Sequence, residues 1–167
     1  QDLEFGGYFS CLDREGKVFD TDKFIWLQGR EVWMFSMLYN KVEKRQEWLD
    51  CAVQGGEFLK KYGHDGNYNW YFSLDRSGRP LVEPYIIFSY TFATMAFGQL
   101  SLATGNQEYA DIAKKTFKII LSKVDNPKSK WNKLHPGTRN LKNFALPMIL
   151  CNLALEIEHL LDPGYLE

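Results

Sequence analysis

The stretch KFIWLQGREVW, running from Lys23 to Trp33, sets an arginine inside a run of tryptophan and aliphatic residues. Arginine keeps its charge at any accessible pH. A buried guanidinium without partners is costly, so Arg30 reaches solvent, pairs with an acid such as its neighbour Glu31, or faces a polar cavity. The run itself reads as a helix over residues 22–40, because Phe24, Leu27, Val32, Phe35 and Leu38 can share buried faces. Trp26 lies one turn before Arg30 and Trp33 three residues after it, so both can stand on the arginine's side. Lys23 and Gln28 fall elsewhere around the helix, with no evident role.

Upstream of this helix is YFSCLDREGK (residues 8–17), and a second copy of its pattern occurs at WYFSLDRSGR (residues 70–79). Both run through aromatic residues into Leu-Asp-Arg-x-Gly and a basic residue. Each reads as a short β-hairpin whose glycine, Gly16 or Gly78, takes the positive φ that the turn demands. A helix is expected after each hairpin, over residues 22–40 and 84–104. A second helix then follows each of those, over 46–62 and 107–124. A fifth helix is predicted over 141–161, after a polar loop spanning 125–140. A period of roughly sixty residues with two helices per unit points to an array of α-hairpins, either a toroid or a solenoid. Several of the predicted helices are apolar on more than one side, as inner helices covered by outer ones must be. Two units and one unpaired helix make an incomplete array, with inner-helix surface left open. Glu83 and the Asp-Arg pairs at the turns, Asp13/Arg14 and Asp75/Arg76, read as loop structure.

The bulk composition sets further bounds. A chain of 167 residues is long enough for one domain with a real core, taken here as residues 1–167. A net charge of -1 gives no electrostatic case for nucleic acid or an anionic membrane surface. No apolar run is long enough to span a bilayer. Aromatic residues at 16% exceed what a core needs, and the surplus suits a pocket for sugars or other partly apolar ligands. Cys11, Cys51 and Cys151 are odd in number and lack zinc-ligand spacing, so reduced and mostly buried thiols in a cytoplasmic protein are expected, with no metal. The chain opens on Gln1 rather than Met, so the natural start is expected to lie upstream.

Taken together, these segments carry a family resemblance. GGYFSCLDREGKVFDTDKFIWLQGREVWMFSMLY (6–39), GGEFLKKYG (55–63), FSLDRSGRP (72–80), IFSYTFATMAFGQLSLATGN (87–106) and ALPMILCNL (145–153) resemble, in order, the N-terminal part of the N-acylglucosamine 2-epimerase (renin-binding protein) family. The resemblance implies an all-α (α/α)6 barrel of inner and outer helices, of which this chain would form an incomplete half with short β-hairpins in its loops. It implies interconversion of N-acetylglucosamine and N-acetylmannosamine, or of a related aldose and its C2 epimer. It implies no required cofactor, although in some members a nucleotice such as ATP acts as an activator. No P-loop pattern occurs here. Family members are more than twice as long, and their C-terminal half supplies two histidines regarded as the acid/base pair. His64, His135 and His159 match neither, so the chain alone is expected to be inactive.

On this reading Arg30 is the catalytic candidate. Epimerisation at C2 of an open-chain sugar removes the proton beside a carbonyl, and a fixed guanidinium can stabilise the negative charge that builds on the oxygen. Trp26 is a candidate to stack on a sugar face, and Trp33 is a substrate-binding candidate that flanks Arg30, with core packing as the alternative for both. Tyr90 and Met95 in the second inner helix are candidates for cavity lining, again against core packing. Asn143 could donate to sugar hydroxyls or cap the last helix. Two other functions stay open: a non-catalytic carbohydrate- or protein-binding helical module, and an (α/α)6 glycoside hydrolase, which would need two carboxylates facing across a cleft. The expected partners are a small sugar and either a second copy of the chain, as a homodimer, or the missing C-terminal half.

Overall fold

In a computed structural model, the described residues are 1–84, 86–125 and 144–162. They contain five α-helices: α1 (Ile25–Met37), α2 (Gln46–Tyr62), α3 (Phe88–Thr104), α4 (Gln107–Ser122) and α5 (Ala145–Glu156). A π-helical turn at Leu38–Val42 extends α1, and a 3-10 turn at Glu158–Leu160 follows α5. The expected loop over 125–140, and with it Asn143 and His135, lies outside the described residues.

The two hairpins form where the paired sequence pattern places them. Strand β1 (Cys11–Leu12) pairs antiparallel with β2 (Val18–Asp20), and β4 (Ser73–Leu74) pairs with β5 (Pro80–Val82). Their turns are built alike. The amide of Gly16 donates to the carbonyl of Asp13, and that of Gly78 to the carbonyl of Asp75, each at 3.1 Å. Gly16 has φ +82° and Gly78 φ +96°, a region in which a β-carbon would clash with the backbone.

A short strand, β3 (Lys23–Phe24), changes the start of α1 from the expected residue 22 to Ile25. It pairs with β4 of the second unit, so the two repeats share one three-stranded sheet, ordered β3-β4-β5. The sheet's demand for extended backbone overrides helical periodicity at Lys23 and Phe24.

The helices fall into two layers. Helices α1, α3 and α5 lie side by side, while α2 backs α1 and α4 backs α3. Burial follows from this arrangement. Every residue of α3 from Ala93 to Ser101 is buried, because α1, α4 and α5 all pack on it. Outer helix α4 buries one stripe, Tyr109, Ile112, Ala113, Thr116, Phe117 and Ile120, and leaves its polar face to water. Helix α5 buries Leu146 and Leu153 but exposes Met148 and Leu155, and Phe144 just before it is exposed as well.

The N-terminal residues strap the two units together. Asp2 is buried and accepts from Lys23 Nζ at 3.0 Å and from Arg76 Nε at 2.9 Å. Lys23 Nζ also donates to the carbonyls of Gly6 and Arg76. Gln28, also buried, bonds both the N–H and the C=O of Tyr8 at 2.8 Å, as a neighbouring strand would. The lysine and glutamine of the KFIWLQGREVW stretch are therefore anchors for the N-terminal segment. Arg76 takes part as well, which corrects its reading as plain loop structure.

Candidate functional site

Helix geometry puts Arg30 on the side of α1 opposite Ile25 and Val32, which are fully buried. Arg30 itself is exposed, on the face of the α1–α3–α5 layer turned away from α2 and α4. Its guanidinium carbon lies 5.8 Å from the Trp26 ring centre and 5.5 Å from that of Phe92. The two rings are 6.3 Å apart and tilted, and the guanidinium lies to one side of them, about equally far from both. Among the described residues Arg30 has no ion-pair partner, Glu31 included. A guanidinium fixed by aromatic faces keeps its N–H donors available for an anionic or carbonyl oxygen.

Gly29 makes this geometry attainable. A β-carbon built there would lie 2.9 Å from both the carbonyl carbon and the carbonyl oxygen of Phe92. Only glycine lets α1 approach the backbone of α3 closely enough to bring Arg30 over Phe92. Phe92 and Gly29 carry no motif of their own, and the signal in the sequence is the Gly-Arg pair within an otherwise bulky run.

Farther along α1, Trp33 is half-buried, and its Nε1–H donates to Glu156 Oε2 at 2.9 Å. The Gln99 side chain on α3 donates to the same oxygen and to the Glu156 carbonyl, each at 3.1 Å. Asn40, in the π-helical turn, donates in turn to Gln99 Oε1 at 3.2 Å and to the Gln99 carbonyl at 3.0 Å. One polar chain thus joins α1, α3 and α5.

The other candidates are placed differently. Met95 is buried beside α5, where Asn152 Nδ2 lies 3.9 Å from its sulfur. Tyr90 stands about 200° around α3 from Phe92 and faces the outer layer, not Arg30. Its hydroxyl donates to Asn69 Oδ1 at 3.4 Å, its ring lies under Lys123, and burial pushes its pKa up to about 12. The structure therefore gathers Arg30, Trp26 and Phe92, places Trp33 next to them along α1, and leaves Tyr90 outside.

His64 is wedged against Tyr68 and Trp70, with ring centres 4.7 Å and 4.9 Å away, and burial lowers its pKa despite the nearby Asp65. His159 is exposed on the 3-10 turn. Neither contacts Arg30. Cys11 and Cys51 are half-buried and Cys151 is exposed, all as free thiols, so the thiols are less buried than expected. Among the described residues no group of His, Cys, Asp and Glu is arranged to hold a metal ion, and no helix is long and apolar enough to cross a membrane. A groove of about 610 Å³ runs along α2, lined by Lys60, which pairs with Glu57 and Glu108, and by Lys61.

Comparison with known proteins gives these residues a family. Residues 7–167 match the model of "N-acylglucosamine 2-epimerase (GlcNAc 2-epimerase)". The chain is 39% identical over 161 residues to N-acylglucosamine 2-epimerase of Bos taurus, covering 93% of this chain and 38% of that protein. It therefore spans about two fifths of the length of the curated relatives it matches. Among solved structures, cellobiose 2-epimerase from Spirochaeta thermophila superposes with a TM-score of 0.81 at 18% identity, over 99% of this chain and 45% of that one. The enzyme of the same name from Bacillus thermoamylovorans gives 0.74 at 23% identity, over 99% and 47%. The two-layer helical array described above is thus about half of an (α/α)6 barrel. With the match running through both hairpins, the Arg30 helix and α5, the chain belongs to the N-acylglucosamine 2-epimerase family.

Proposed function

We propose that this chain is the oxyanion-stabilising part of a sugar 2-epimerase acting on N-acetylglucosamine and N-acetylmannosamine or on a related aldose. The observation that carries this reading is Arg30, exposed beside the Trp26 and Phe92 rings with no acid paired to it among the described residues. Removal of the C2 proton drives charge onto the carbonyl oxygen. A guanidinium already in place meets that charge without rearranging, and a closed cavity strengthens the interaction. A base on each face of C2 would take and return the proton, and on this reading both come from the part of the fold that this chain does not span. The chemistry is a proton exchange and requires no cofactor. A nucleotide such as ATP, where it binds, would act as an activator and not as a phosphate donor. The exposed Phe144, just before α5, and Met148 and Leu155 on it favour association with the part of the fold that this chain does not span, or with a second copy of the chain, because an apolar face of this kind is seldom left bare. The free thiols favour a reducing compartment such as the cytoplasm.

The test is complementation. The chain alone, incubated with N-acetylmannosamine in D2O, is expected to show no deuterium at C2 by proton NMR. Mixed with the part of the bovine relative that it does not match, it is expected to restore exchange and epimerisation. Arg30→Ala should then lower the rate by about 100- to 1000-fold, the usual cost of losing one oxyanion donor. Exchange by the chain alone, or full activity of the Arg30→Ala mixture, would overturn the reading.

A further inference from the structure

Glu156 is the one acidic side chain of α5, a helix that is otherwise nearly all apolar. It is half-buried, and no cation pairs with it among the described residues. Its Oε2 accepts from two neutral donors, Trp33 Nε1 and Gln99 Nε2. Its Oε1 has no hydrogen-bond partner among the described residues. The donors on Oε2 fix both the carboxylate and the indole. Gln99 cannot turn away, because its own Oε1 is held by Asn40. A partly buried carboxylate with one anchored and one vacant oxygen is an acceptor prepared for a hydroxyl group.

Trp33 follows Arg30 by three residues, about 4.5 Å along the helix axis. An indole held rigid by its N–H offers a flat apolar face of the kind that the C–H side of a pyranose covers. The carboxylate beside it takes hydroxyls at the ring edge.

We propose that Trp33 and Glu156 form a hydroxyl-binding subsite for a sugar ring, one turn along α1 from Arg30. Trp33 supplies the platform, and Glu156 both aims that platform and accepts a sugar hydroxyl on Oε1. Gln99 and Asn40 are positioning residues that hold the carboxylate. The choice of sugar rests on the epimerase reading, whereas the subsite rests on the geometry around Glu156.

The test uses the whole chain labelled with nitrogen-15 and reads the indole N–H resonances of its five tryptophans, with Trp33 assigned by Trp33→Phe. Titration with N-acetylmannosamine should shift the Trp33 resonance saturably, and glycerol at equal concentration should not. Glu156→Ala, with circular dichroism and the other indoles unchanged, should weaken the sugar at least 10-fold and move the Trp33 resonance before any sugar is added. Glu156→Gln keeps an oxygen for the indole but presents an amide N–H to the sugar, so it should restore the indole position and bind the sugar only weakly. If Glu156→Ala fails to fold, the Glu156→Gln comparison decides. A Trp33 resonance indifferent to the sugar, or a Glu156 variant with undiminished affinity, overturns the subsite. Sugar binding at Trp33 with no epimerisation in the complemented mixture would instead sink the epimerase reading and leave the subsite standing.

Discussion

At the scale of single residues, the chain solves two charge problems in opposite ways. Arg30 stays at the surface, beside two rings. Lys23, only seven positions earlier in the same stretch, is fully buried and survives because Asp2 and two carbonyls surround its ammonium group. Breaking a buried pair strands one charge, so Asp2→Ala is expected to cost about 3 kcal/mol in urea-induced unfolding. The Arg76 side chain, more than a third exposed, cannot compensate, because it is released from the same carboxylate. A loss below about 1 kcal/mol would show that Lys23 finds water or another partner instead. Sequence reading identified Arg30 as the residue to watch but left Lys23 and Gln28 unplaced. The reason is physical: their partners lie 21 and 20 residues away in an irregular segment, and no periodicity reports a contact of that kind.

At the scale of elements, the contact between α1 and α3 depends on one missing side chain. Gly29→Ala would drive a methyl group into the Phe92 carbonyl, and backbone cannot yield as a flexible side chain can. The expected destabilisation is about 1–3 kcal/mol, the usual range for overpacking, read as a lowered urea midpoint. Trp26 fluorescence should change with it, since Phe92 would leave its ring. An unchanged midpoint would mean that the two helices have slack between them. Helix identities were legible because each of the five carries an apolar pattern, and α2 begins and ends where its pattern does. The start of α1 was not, since Lys23 and Phe24 enter a sheet whose other strands lie some fifty residues on. The choice between cavity lining and core packing at Tyr90, which is buried, stays open in the sequence for a related reason. Alternative faces of α3 look equivalent in sequence because the helix is buried nearly all round, so composition cannot tell the lumen from the outer layer.

At the scale of the whole molecule, acid should loosen the fold in two steps. Burial lowers the His64 pKa below its ordinary value of 6.5, so the unfolded chain binds that proton more tightly and stability falls as pH drops below that value. For Asp2, burial opposes ionisation, but hydrogen bonds from Arg76, Lys23 and two backbone amides override it and hold the pKa well below 3.8. Its contribution is complete above the ordinary aspartate range and is lost as pH falls below it. Urea midpoints measured from pH 8 to pH 3 should show both declines. His64→Phe, which keeps the ring stack, should flatten the upper one, and Asp2→Asn the lower. A flat profile across pH 6.5 would show that His64 is equally at ease protonated in the fold. The family and the half-barrel were legible in the sequence because the two units repeat and the Arg30 block is distinctive. The Glu156 network was not, because it joins three helices that are far apart along the chain.

The strap formed by Asp2 has a consequence for the order in which the chain can fold. Its carboxylate needs Arg76, 74 residues downstream, as well as Lys23. While the protein is being made, the first hairpin and helix pair leave the ribosome before that partner exists. Until the second hairpin follows, Asp2, the acid paired with Lys23 among the described residues, lacks Arg76, and β3 lacks the strand it pairs with. The first unit can make its own Asp2–Lys23 pair, but the Arg76 bonds to Asp2 and the partner strand of β3 exist only once the second hairpin has been made.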